Sequence, residues 1–251
     1  LEHQVLQARD RCREPAVTPE GTQIAVLANI GGAADAFMAA ENGADGIGLF
    51  RMETFFMQQR NLPTAEELLE MLGHALAPMR ETCVTIRLLD LGADKSLPYL
   101  EFPEENNPML GMRGIRLLLE YRDLLQLQFA ALLRLATTHT VRILVPMVTL
   151  TDEMKEVRSL LQHTPRPPDL SVLPPLGAMI ETPAAALCAA ELAAAADFIS
   201  IGTNDLTQYT MAAGRENARV EKYYDPSHPA VRKMIEAVSA AARQARVPVE
   251  V

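Results

Sequence analysis

No uninterrupted apolar run in this sequence approaches the roughly 20 residues that a helix needs to cross a bilayer. The longest apolar stretch, Ala184 to Ala196, is broken by Glu191 and has helical composition. A membrane-spanning chain is therefore not expected. Cysteine is scarce, with only Cys12, Cys83 and Cys188. Three widely spaced thiols argue against a disulfide scaffold and fit a reducing, cytoplasmic setting. Positive charge is in deficit: 23 basic residues face 32 acidic ones, for a formal charge of -9. That sign opposes a protein that clings to nucleic acid by general electrostatics. The five histidines are scattered, and no His/Cys spacing suits zinc. The first residues show no apolar core behind a basic flank, and the sequence does not begin with Met, which fits a fragment or a processed chain. Internal repeats and long heptad runs are also lacking.

What is present is ordinary globular composition: 251 residues, 49% hydrophobic and 22% charged. Short β-rich apolar runs recur at 24–29, 46–50, 84–90, 141–147, 176–181, 198–202 and 247–251. Between them lie segments with helical spacing at 33–42, 64–80, 111–138 (read as two helices), 151–162, 183–195 and 228–245. Strand and helix in alternation imply parallel pairing, because a parallel partner needs a long crossover. Strands that are apolar almost throughout imply burial on both faces. The reading is an α/β fold, a TIM-type (β/α)8 barrel. Only seven strands are counted, and the seventh reaches the last residue. The eighth strand and helix are expected to be missing from this chain. Residues 1–20 read as an N-terminal helix and linker, and residues 21–251 as the barrel domain.

In parallel α/β folds chemistry collects at the carboxyl ends of the strands. Glu181 and Asp205 each follow an apolar strand and precede a helix. Asp205 alone reads equally as a helix-terminal acid. Glu181 is less like a cap, since Pro183 already starts the next helix. Two carboxylates on adjacent strands, with no His or Cys beside them, suit a hard cation such as Mg2+. Arg87 lies within an apolar strand, where a guanidinium is costly unless an anion meets it. Arg113, Arg116, Arg134 and Arg215 add guanidinium groups in neighbouring segments; Arg116 and Arg122 read as surface salt bridges. Asn204 supplies an amide beside Asp205, and the helix that follows points its N-terminus at the same rim. Arginine recognises phosphate and carboxylate with a rigid fork. The residues alone therefore describe a Mg2+-dependent barrel that handles a phosphorylated carboxylic acid.

The stretches that carry this chemistry are Asn42-Gly-Ala-Asp-Gly-Ile-Gly-Leu-Phe-Arg-Met-Glu53, Arg87-Leu-Leu-Asp-Leu-Gly-Ala-Asp-Lys95, Asn107-Pro-Met-Leu-Gly-Met-Arg-Gly-Ile-Arg116, Gly177-Ala-Met-Ile-Glu-Thr-Pro-Ala184 and Ser200-Ile-Gly-Thr-Asn-Asp-Leu-Thr-Gln-Tyr-Thr210. With them, the chain from about residue 21 to its end resembles the phosphoenolpyruvate-binding domain of Enzyme I, a family of phosphoenolpyruvate–protein phosphotransferases in the bacterial phosphotransferase system. The resemblance implies a barrel that binds phosphoenolpyruvate (PEP), releases pyruvate, takes Mg2+ and forms a homodimer. It implies Glu181 and Asp205 as metal ligands. Arg87, Arg113, Arg134 and Arg215 would hold the phosphate, the first three with catalytic roles, and Asn204 would contact the substrate. The family's phosphorylated histidine, on a separate N-terminal domain that serves a phosphocarrier protein, has no counterpart here. Its Cys-Gly-Glu segment would be expected just beyond Val251, and neither Cys83 nor Cys188 is placed to substitute.

Three other readings remain open at this point. One is a fragment of a pyruvate phosphate dikinase or PEP synthase. The second is a non-catalytic module that senses PEP or only dimerises. A metal-dependent aldolase barrel would explain the two carboxylates but not the arginines.

Overall fold

The computed structural model describes residues 11–92, 97, 99–100 and 104–251. A short antiparallel hairpin comes first, β1 (Ala16–Val17) against β2 (Gln23–Ile24), with Ala16 opposite Ile24. The expected helix and linker over 1–20 lies half outside the described residues. Within them, the segment after Pro15 is extended and pairs with Gln23 and Ile24, so that Ile24, expected to open the first barrel strand, belongs to the hairpin instead.

Seven parallel strands follow in sequential order: β3 (Leu27–Ile30), β4 (Gly46–Arg51), β5 (Cys83–Arg87), β6 (Thr140–Val145), β7 (Leu176–Ile180), β8 (Phe198–Ile201) and β9 (Val249–Glu250). Each pairs only with its neighbours in the chain, and β3 and β9 are the two edges. This is the (β/α)-barrel architecture with seven strands among the described residues, as the strand count anticipated. Every residue of β7 and β8 is buried, which explains why neither run shows polar alternation.

The helices cover the outer face: α1 (Ala33–Glu41), α2 (Glu53–Gln58), α3 (Ala65–Leu76), α4 (Ile115–Glu120), α5 (Arg122–Leu135), α6 (Thr151–His163), α7 (Pro183–Leu187), α8 (Ala189–Ala195), α9 (Thr203–Met211) and α10 (Pro229–Ala245). The helical segment 111–138 does divide in two, at Tyr121, whose φ of -93° and ψ of 65° leave the helical region. Segment 183–195 divides as well, at Cys188. Local chemistry sets several starts. Thr64 and Glu67 form a reciprocal capping box at α3. Thr182 accepts from Ala185 N at 3.2 Å, with Pro183 in the first helical position of α7.

The two faces of the sheet bury different things. On the outside, Val84, Ile86, Val141, Ile143, Val145 and their neighbours join the large core shared with the helices. The opposite face carries a small apolar cluster of Leu144, Met179 and Phe198. Above Phe198, at 4.4 Å, lies the Arg142 guanidinium, which donates to Thr85 Oγ1 and to Glu250 Oε2 at 2.6 Å. That pair ties β6 to the last strand across the inner face. Because all seven strands run the same way, their carboxyl ends form one rim, and in the sheet register Arg51 at the end of β4 is the direct partner of Arg87 at the end of β5.

Candidate active site

At that rim a second and larger group of charged side chains gathers. Arg87 is the last residue of β5 and is only 7% exposed. Its Nη2 donates to Glu53 Oε1 at 2.7 Å, and its Nη1 lies 3.4 Å from Asp90 Oδ2. Glu53 opens α2, and the same Oε1 also accepts the Asp90 backbone N–H at 3.0 Å. Arg113, in the segment ahead of α4, meets Asp90 with a two-pronged fork: Nε to Oδ1 at 3.3 Å and Nη2 to Oδ2 at 2.7 Å. Its Nη2 also reaches Asp205 Oδ2 at 3.2 Å, and its Nη1 donates to Tyr209 Oη at 2.9 Å.

Glu53, Arg87, Asp90, Arg113 and Asp205 thus form one row of alternating charge, each residue no more than 8% exposed. Charges this deep are tolerated only in company. Burial pulls the Arg87 guanidinium towards deprotonation, but Glu53, Asp90 and Glu181 outweigh it and hold the proton more firmly than usual. Arg113 behaves in the same way, burial being outweighed by Asp90 and Asp205.

Glu181, directly after β7, is 2% exposed and accepts the Met147 backbone N–H at 2.6 Å. Met147 presents that N–H from a left-handed conformation (φ 56°), unusual for a residue with a side chain. Gly202 makes room on the other side, since a Cβ there would stand 2.7 Å from Glu181 Oε2. Burial, with Asp90 and Asp205 adding to it, pushes the Glu181 carboxyl up to about 8, against the pull of Arg87 and the Met147 N–H.

Two buried polar atoms in this cluster have no hydrogen-bond partner, Asp205 Oδ1 and Arg87 Nε. An orphaned buried acceptor beside a second carboxylate suits a cation, and an orphaned guanidinium N–H suits an anion. In the row, three carboxylates face two guanidiniums, and ionised Glu181 adds one more negative charge. No group of three or more His, Cys, Asp or Glu among the described residues could by itself hold a metal. Glu181 and Asp205 therefore fit a hard ion of the Mg2+ type, which draws its remaining ligands from substrate and water.

The structure accordingly brings together four of the residues expected from sequence: Arg87, Arg113, Glu181 and Asp205. Helix α9 begins at Thr203, ahead of the expected start after Asp205, so Asn204 and Asp205 stand in its first turn. Asn204 is exposed at the rim, with its backbone carbonyl 3.2 Å from Tyr224 Oη. Arg215 is exposed too, and its backbone N–H donates to Gln208 Oε1 at 3.1 Å. Burial raises the Tyr224 phenol, Arg215 lowers it and Asp205 raises it, which places both charges around one hydroxyl. Arg134 is a correction. It sits in the last turn of α5 and pairs with Glu66 on α3, in the outer helical layer. Helix α5 buries Leu132, Leu133 and Leu135 and turns the guanidinium outward. Cys83 opens β5, at the far end of that strand from the rim.

Glu53, Asp90 and Tyr209 lie in the stretches singled out from sequence but receive no role there; their partners Arg87, Arg113 and Arg113 lie 34, 23 and 96 residues away in the chain. Arg51 has no role in the sequence reading either, although it ends β4 as the direct partner of Arg87. It is exposed and forms no ion pair among the described residues.

Residues 6–251 match the family model of the PEP-binding domain of PEP-utilising enzymes. The chain belongs to that family. The PEP-binding domain is 42% identical over 236 residues to the phosphoenolpyruvate-protein phosphotransferase of Geobacillus stearothermophilus, covering 92% of this chain and 41% of the relative. Against the protein of the same name from Bacillus subtilis the figures are 40% over 240 residues, 92% and 41%. Against the multiphosphoryl transfer protein of Rhodobacter capsulatus they are 40% over 243 residues, 96% and 29%. The chain thus spans about two-fifths or less of these relatives. Among solved structures it resembles macrophomate synthase (TM-score 0.52, 14% identity, 97% of this chain and 74% of that one). It also resembles an HpcH/HpaI aldolase/citrate lyase family protein from Burkholderia cenocepacia (TM-score 0.51, 15% identity, 97% and 82%). At such low identity these two likenesses speak for the shared fold alone.

Proposed function

We propose that this domain is the substrate barrel of a phosphoenolpyruvate–protein phosphotransferase. In the whole protein it would present PEP to a histidine on a separate domain, which passes the phosphoryl group to a phosphocarrier protein while pyruvate leaves. The names of the relatives support the phosphotransferase reading over a dikinase or PEP synthase. The row of buried charge supports it over an aldolase barrel, for which the paired arginines would have no use. The same reading carries a homodimer formed through the barrel.

The observation that carries the proposal is that a fully built charge row leaves two buried polar atoms without partners, Asp205 Oδ1 and Arg87 Nε. In transfer, the bond between phosphorus and the enol oxygen breaks, a P–N bond forms at the histidine, and the departing electron pair becomes the pyruvate enolate, which is protonated at C3. The transferred group needs its equatorial oxygens neutralised throughout. Arg87 and Arg113 do this from positions already set by Glu53 and Asp90, so no reorganisation falls within the reaction step. Arg51 and Arg215, exposed at the edge, meet the outer oxygens, and Asn204 offers its amide to the substrate. Glu181 and Asp205 would hold Mg2+, which would supply neutralisation of negative charge on the substrate.

Calorimetric titration with PEP, with and without Mg2+, tests the pocket. Binding that strengthens with Mg2+ in the wild type and loses that dependence in Glu181→Ala and Asp205→Ala is the expected result. Mg2+-dependent binding or turnover near wild type in either variant would refute the metal assignment.

A further inference from the structure

We propose that Tyr209 is a positioning residue for Arg113, locking the guanidinium so that its one remaining N–H faces the phosphate; this rests on the PEP reading above. Tyr209 stands four residues after Asp205 on α9, so both side chains lie on one face of the helix. Both touch Arg113, Asp205 at Nη2 and Tyr209 at Nη1. The phenol has a single hydrogen, which it donates to the backbone carbonyl of Met109. Its lone pairs are left to accept from Arg113.

Met109 belongs to the single turn Pro108–Leu110, just ahead of Arg113 in the chain. One hydroxyl therefore ties together α9, the loop that delivers Arg113 and the guanidinium itself. A guanidinium has five N–H groups in a fixed plane. Asp90 takes Nε and one hydrogen of Nη2, Asp205 takes the other hydrogen of Nη2, and Tyr209 takes one hydrogen of Nη1. One Nη1 hydrogen has no partner among the described residues. Without Tyr209 the fork could rock about its bond to Asp90, and that last hydrogen would lose its aim.

Glu53 and Asp90 also hold arginines, but they do so with charge, and removing a buried charge disturbs everything near it. Tyr209→Phe removes one oxygen atom and keeps the ring, which makes this contact separable. The test is a double-mutant cycle in the intact protein, reading PEP affinity by calorimetry in saturating Mg2+. Tyr209→Phe alone is expected to weaken PEP binding on the order of tenfold to a hundredfold, the effect of one hydrogen bond to a charged donor. In an Arg113→Lys background the same substitution is expected to cost less than about twofold, since the group it aims is gone. Binding of Mn2+ without PEP, a probe of Glu181 and Asp205, is expected to stay within about twofold of wild type in Tyr209→Phe.

Equal losses in the two backgrounds, a Tyr209→Phe protein that binds PEP like wild type, or a loss of Mn2+ affinity as large as the loss for PEP would each overturn the positioning role and leave the PEP reading standing. An Arg113→Lys protein that binds PEP as well as wild type would overturn the PEP reading itself, and the inference with it.

Discussion

Substituting Glu53 by Gln tests the buried row at the point where a single atom does the most. Glu53 Oε1 accepts both the Arg87 guanidinium at 2.7 Å and the Asp90 N–H at 3.0 Å, and the residue is 4% exposed. Glutamine keeps the shape and one carbonyl oxygen but removes the charge. Arg87 is left with Asp90 at 3.4 Å as its remaining close anion, and its Nε is already unpartnered. Breaking a buried pair costs about 3–5 kcal/mol; because glutamine keeps one acceptor, the low end is expected, about 3 kcal/mol. For a chain of this size that lowers the unfolding midpoint by about 6–12 °C. The control is Glu156→Gln, which breaks the exposed pair with Arg122, whose side chains are 41% and 57% exposed. That loss should stay below about 1 kcal/mol. Thermal unfolding followed by circular dichroism reads both variants in one experiment. Equal midpoints for Glu53→Gln and Glu156→Gln would refute the claim that the row is an energetic unit, since depth of burial is what separates them.

Two further outcomes follow from the same geometry. Glu181 titrates near 4.5 when unfolded and is pushed up to about 8 in the folded protein, so between those values the folded state holds one more proton. Its contribution to stability therefore declines as pH rises through that window and levels off above about 8. A divalent ion requires the carboxylate, so Mg2+ uptake at pH 7 should release close to one proton and apparent affinity should climb until about pH 8; titration heats that are the same in buffers of different ionisation enthalpy would contradict this. Arg134→Ala breaks only the surface pair with Glu66, and PEP affinity should stay within about twofold of wild type. A tenfold loss would return Arg134 to the site.

What could be read from sequence followed from rules that act locally. Seven strands were visible because runs such as Leu176–Ile180 are buried on both faces and admit almost no polar residue. Glu181 and Asp205 stood out because each follows an apolar strand, and Arg87 because it lies within an apolar run where a guanidinium is costly. The rest depended on which residues the fold brings face to face. Arg134 has the composition of a site arginine, and only the orientation of α5 shows that it points away. Glu53, Asp90 and Tyr209 look like an ordinary helix-terminal acid, a loop acid and a helical aromatic until Arg87 and Arg113 are placed beside them. The hairpin at β1 and β2 was hidden because two-residue strands carry too little pattern to separate from linker.

The strict alternation from Glu53 to Asp205 also bears on how this pocket can vary. Neutralising any one member leaves its direct neighbour short of a buried counter-charge, whereas removing two adjacent members of opposite sign leaves the net charge of the row unchanged. Saturation mutagenesis one position at a time should find substitutions at these five sites costly in stability. Libraries that randomise neighbouring pairs, Glu53 with Arg87 or Asp90 with Arg113, should recover proteins more stable than the corresponding single substitutions. Redesign of this pocket for a different anion would therefore have to proceed by couples.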